Sequence, residues 1–98
     1  KKGSINIVLD ENIAQGTYSN LALIYHSVSE FVVDFVNIMP GVAKAKVKSR
    51  IILTPQHAKR FSQALNENIS RFEKSNGQIK GFDKQQSINL NFGPTGEA

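Results

Sequence analysis

The eight residues FVVDFVNI at 31–38 set the tightest limit on the fold. Side chains alternate between the two faces of a strand. Phe31, Val33 and Phe35 therefore point one way, and Val32, Asp34, Val36 and Ile38 the other. Asp34 is the only charge among them, so both faces ask for cover. A chain of 98 residues can build one core and has no room for a second. Whatever covers the second face has to come from a segment with little else to do, or from another molecule.

Several other segments share the period of two. Ile5, Ile7 and Leu9 alternate and predict a short first strand. The polar stretch DENIAQGT reads as a loop that turns at Gly16. YSNLALIYHS predicts a second strand, Phe31–Met39 a third and AKVKSRIIL a fourth, with Pro40-Gly41 turning the chain between the last two. Short connections between consecutive strands imply an antiparallel meander.

At Thr54 the period changes. Ala58, Phe61, Leu65, Ile69 and Phe72 are spaced by 3, 4, 4 and 3, the stripe of an amphipathic helix. Thr54 can cap its start, and Pro55 suits the first helical position, where a missing N–H costs nothing. Asn76-Gly77 supplies the left-handed stop, and Glu67 and Arg71 can pair across one turn. The fold class expected is α+β: a four-stranded antiparallel meander followed by one long helix, β-β-β-β-α, with the helix stripe, Phe61 and Leu65 included, buried on one sheet face. Residues 1–77 form this single domain. Residues 78–98 are a polar extension in which Ser87–Phe92, SINLNF, is a candidate further edge strand resembling SINIVL at Ser4–Leu9.

The turn at Pro40-Gly41 allows the pairing of the third and fourth strands to be estimated. If facing residue numbers sum to about 82–84, Asp34 lies opposite Lys48 or Arg50. Phe31, Val33 and Phe35 then share a face with Val47, Ser49, Ile51 and Leu53. The other face combines Val32, Asp34, Val36, Ile38 and Ile52 with a basic row, Lys44, Lys46, Lys48 and Arg50. One reading of that row is cross-strand ion pairing with Glu30 and Asp34. The other is a phosphate-tracking stripe for single-stranded nucleic acid, to which His57, Lys59 and Arg60 would add at the helix start. From Val42 to Arg60 there are six cations and no acid, in a chain of net charge +4. Val32, Val36, Ile38 and Ile52 are the candidate oligomer interface, with a dimer expected as the commonest symmetric assembly.

Enzymatic chemistry finds little support. There is no cysteine, which excludes thiolate nucleophiles, disulfides and cysteine-bound metals. His26 has Ser27, Ser29 and Glu30 nearby, but neighbours in a strand and tight turn do not converge on one reacting atom. No His or carboxylate spacing matches a familiar metal site, and no glycine-rich phosphate loop is present. No catalytic residue, cofactor or metal is expected. No apolar run approaches the roughly 20 residues that span a bilayer. No membrane association is expected, and the expected compartment is the cytoplasm.

GTYSNLALIYHSVSEFVVDF, MPG and KVKSRIILTPQHAKRFSQAL follow one another between Gly16 and Leu65. In that order they resemble a family of short prokaryotic proteins known as domain of unknown function 3467, the likeness running from Tyr18 to Phe72. The resemblance implies no activity and brings no catalytic residues. In outline alone, a β-β-β-β-α unit that dimerises is similar to the repeat of Whirly and Pur-type single-strand-binding proteins, and to SecB-like export chaperones. Three functions are therefore carried forward: a non-enzymatic oligomeric module that binds a macromolecule, a single-stranded nucleic-acid binder, and a chaperone or adaptor.

Overall fold

The computed structural model describes residues 3–80. Its elements run α1 (Glu11–Ala14), β1 (Leu21–His26), β2 (Phe31–Val36), β3 (Val47–Leu53) and α2 (Pro55–Asn76). The strands form one antiparallel sheet in the order β1-β2-β3. This is an α+β chain whose sheet precedes a long helix. The chain divides into two compact units. One holds the residues up to Ile24 with Val32–Ile51, the other Tyr25–Phe31 with the chain from Ile52 onward.

The expected first strand does not form. Ser4–Asp10 carries no regular structure, and the loop after it begins with the single turn of α1. The alternation of Ile5, Ile7 and Leu9 reports what the segment can do beside a partner strand, and among the described residues it has none. The fold therefore shows three strands where four were expected. The candidate strand at Ser87–Phe92 lies outside the described residues.

In the first unit, β2 explains its own sequence. It lies between β1 and β3, so both its edges are paired. Val33 is 8% exposed and Val36 4%, although alternation sends them to opposite faces. Asp34 between them is 1% exposed. The chain enters β1 through Ser19 and Asn20. Asn20 donates its backbone N–H to the Val36 carbonyl, and its side-chain amide both accepts from the Ile38 N–H (2.7 Å) and donates to the Ile38 carbonyl (2.9 Å). One side chain thus replaces a strand residue for Ile38, beyond the end of β2. The Ser19 hydroxyl lies 3.0 Å from the carbonyls of both Leu21 and Val36.

After β2, Pro40 and Gly41 occupy the centre of a turn closed by the Val42 N–H on the Met39 carbonyl. Gly41 has φ +82°, which the third position of a type II turn requires. β3 begins only at Val47, two residues later than the pattern suggested. Lys44 and Lys46 therefore sit in the connection, and only Lys48 and Arg50 lie on the strand.

In the second unit, the Ser27 N–H bonds to the Glu30 carbonyl, and the Ser27 hydroxyl accepts from the N–H groups of Ser29 and Glu30. This is a side-chain-supported tight turn between β1 and β2. α2 starts and stops where its signals lie. Thr54 Oγ1 accepts from the His57 N–H at 3.1 Å, Pro55 opens the helix, and Gly77 ends it at φ +88° with its N–H on the Glu73 carbonyl. The expected burial of the helix stripe is corrected. No residue of α2 is buried, and Phe61, Leu65 and Phe72 are about half exposed. Local signals fix where the helix starts and stops, but most helix stability in proteins comes from packing of the apolar face, and that face is open among the described residues.

Candidate binding surfaces

Asp34 and Arg50 form a bidentate ion pair in the first unit. Arg50 Nε donates to Asp34 Oδ1 at 2.7 Å, and the terminal guanidinium nitrogen to Oδ2 at 2.8 Å. This bidentate fork is the stronger form of ion pair. The residue numbers sum to 84, within the 82–84 range of the turn-based estimate. The carboxylate is almost fully buried, while the Arg50 side chain is 54% exposed. Arg50 is thus committed to the sheet.

The other members of the basic row are differently placed. Lys44, Lys46 and Lys48 are exposed and make no ion pair with any described residue. The cross-strand pairing expected with Glu30 and Asp34 forms at Asp34 alone, through Arg50. His57, Lys59 and Arg60 are exposed on the first turns of α2, in the second unit. The His57 backbone N–H is taken by the cap.

The four residues expected at an oligomer interface also separate. Val36 is buried within the chain, Val32 and Ile38 are partly buried, and Ile52 is 58% exposed. The larger apolar surface is on α2. Ile69 and Phe72, with Asn68, Ile79 and Lys80, line an open groove of about 620 Å³ at the C-terminal end of the helix. Ile79 is held there by its N–H bond to Glu73 Oε2, at 3.0 Å. The sequence reading placed Ile69 and Phe72 in a core and passed over Ile79. The available signal was an apolar residue two positions beyond the helix-ending glycine.

His26 stacks on Phe31, with ring centroids 5.5 Å apart and planes at 29°. Its serine neighbours are occupied in the turn, where Ser27 Oγ serves backbone N–H groups. Among the described residues no cluster of three His, Asp or Glu side chains is arranged to hold a metal ion. No helix among them is long and apolar enough to cross a membrane.

The family model described as protein of unknown function, DUF3467, matches residues 1–81. The match takes in Ser4–Leu9, which lies outside the Tyr18–Phe72 resemblance read from the sequence. No curated protein and no solved structure matches the chain.

Proposed function

Because the chain belongs to the DUF3467 family of proteins of unknown function, a description that carries no activity, we propose from its own geometry that it is a self-associating, non-enzymatic module that acts by binding another macromolecule. The observation that supports this is the stripe on α2. Phe61, Leu65, Ile69 and Phe72 are between 37% and 51% exposed along one face of a 22-residue helix. A sequence that maintains such a stripe over four turns has a surface to cover.

Completing the burial of those four side chains is worth roughly 1 kcal/mol each, so two copies contribute about 8 kcal/mol. Association itself costs about 4–15 kcal/mol. The balance predicts a concentration-dependent dimer unless further surface joins the interface. Light scattering over a concentration series is the test. Leu65→Asp places a charge at the middle of the stripe and is expected to give monomers that keep the helical circular dichroism signal. A full-length chain that stays monomeric at high micromolar concentration refutes the proposal.

A second reading is single-stranded nucleic-acid binding. The observation favouring it is that Lys44, Lys46 and Lys48 are exposed without an acidic partner among the described residues. With Arg50 engaged by Asp34, three phosphate contacts predict a log–log salt slope of roughly −2 for single strands. Titration of a labelled oligonucleotide at several salt concentrations measures it. Unchanged binding by the Lys46→Glu, Lys48→Glu double variant would move any such site away from this strand.

A further inference from the structure

The first unit contains a strand-like segment without a partner and a strand edge without a neighbour. Ser4–Leu9 alternates as a strand does, yet Ile5, Ile7, Val8 and Leu9 are 81%, 92%, 79% and 68% exposed. None of its backbone N–H groups makes a hydrogen bond with another described residue. β3 stands at the end of the β1-β2-β3 order, so its outer edge has no strand beside it among the described residues. A bare edge and an apolar extended segment are the two halves of strand addition.

We infer that Ser4–Leu9 of one copy adds as a strand to the outer edge of β3 in a second copy, and that the exchange is reciprocal. The inference rests on the self-association proposed above and adds a second contact to the one the α2 stripe makes. Both ends of a twofold exchange are then satisfied, because each chain donates one segment and accepts one. Six residues of strand span about 20 Å, which matches the seven-residue β3. Each protomer thereby gains the fourth strand that its own chain does not supply.

Charge selects the direction. Lys44 and Lys46 lead into β3 and Lys48 lies on it, and lysines on an edge deter an uncharged strand. The donor ends in Asp10-Glu11 and begins with Lys1-Lys2. Antiparallel addition brings the acids to the lysines and carries the donor's own lysines to the far end. Parallel addition would set lysine against lysine. Pairing that keeps residue sums even, near 56, places Asp10 opposite Lys46 and Ile5 opposite Ile51. Ile5, Ile7 and Leu9 then continue the face of Val47 and Ile51, which are 49% and 44% exposed. SINLNF at Ser87–Phe92 is the competing donor by pattern. It is followed by Gly93-Pro94-Thr95-Gly96, with no acid before Glu97, and so lacks this complement.

The test measures the dimer dissociation constant of the full chain and of six variants by sedimentation. Ile7→Pro and Val8→Pro each remove one N–H. Neighbouring N–H groups on a strand point to opposite edges, so one of the two must remove a bond to β3. That variant is expected to weaken the dimer at least tenfold, with unchanged circular dichroism because neither N–H is bonded to another described residue. Asp10→Lys is expected to weaken the dimer, and adding Lys46→Glu with Lys48→Glu is expected to restore it. Deleting Lys1–Leu9 is expected to weaken the dimer at least as much as the more disruptive proline variant. Wild-type affinity in both proline variants and in the deletion overturns strand donation while leaving self-association standing. A monomeric wild-type chain removes both. A dimer unweakened by loss of Lys1–Leu9 but weakened by loss of Gly81–Ala98 assigns the edge to the C-terminal segment and overturns the inference.

Discussion

Arg50→Leu is expected to destabilise the fold out of proportion to the exposure of the residue removed. Its side chain is 54% exposed, but its guanidinium places two hydrogen bonds, at 2.7 and 2.8 Å, on an Asp34 side chain that is 98% buried. Hydrogen bonds to a charged group contribute about 1.5–3 kcal/mol each. Breaking a fully buried pair by removing one partner costs about 3–5 kcal/mol. The guanidinium already meets water on one side, so part of its Coulombic share is screened, and about 2–4 kcal/mol is expected here. Asp34→Asn is expected to cost less, about 1–2 kcal/mol, because it removes the buried charge and leaves Arg50 half hydrated. The double variant should be more stable than the sum of the two single losses. Urea unfolding at one fixed protein concentration gives all four corners of the cycle and avoids any shift from association. Equal costs for the two single variants, or a loss below about 1 kcal/mol for Arg50→Leu, would refute the view that a desolvated carboxylate depends on this arginine.

Two further variants address the ends of α2. Thr54→Ala removes the side-chain acceptor of the His57 N–H and is expected to cost about 1 kcal/mol, while Thr54→Ser should cost little. Gly77→Ala meets no atom within 4 Å of the new Cβ, so its expected loss of about 1–3 kcal/mol comes from backbone conformation at φ +88° alone. Chemical denaturation checks both. A neutral Gly77→Ala would show that the chain leaves α2 by another backbone path.

What the sequence determined by itself was the local structure. The start and stop of α2 rest on Thr54, Pro55 and Gly77, each acting within a few residues, and the structure has them where the signals lie. That Asp34 meets a cation of the basic row was legible because Pro40-Gly41 turns the chain back and a buried carboxylate needs a partner, which Arg50 supplies where Lys48 was the alternative. Tertiary structure decided what local rules leave open. Periodicity shows that Ser4–Leu9 can be a strand and that the α2 stripe can be buried, but pairing and burial depend on a neighbour that arrives from elsewhere. Ser4–Leu9 finds no strand among the described residues, and Phe61 and Leu65 stay about half exposed. The two apolar faces of β2 were visible in FVVDFVNI, yet its central place in the sheet follows from the antiparallel pairing of β1 on one edge and β3 on the other. The period-two row of lysines suggested a strand from Ala45, whereas β3 starts at Val47 and leaves Lys44 and Lys46 in the connection. Lysines at alternate positions look the same in a loop as on a strand. Only the point at which backbone groups find partners across the sheet separates the two, and that point is set by the whole fold.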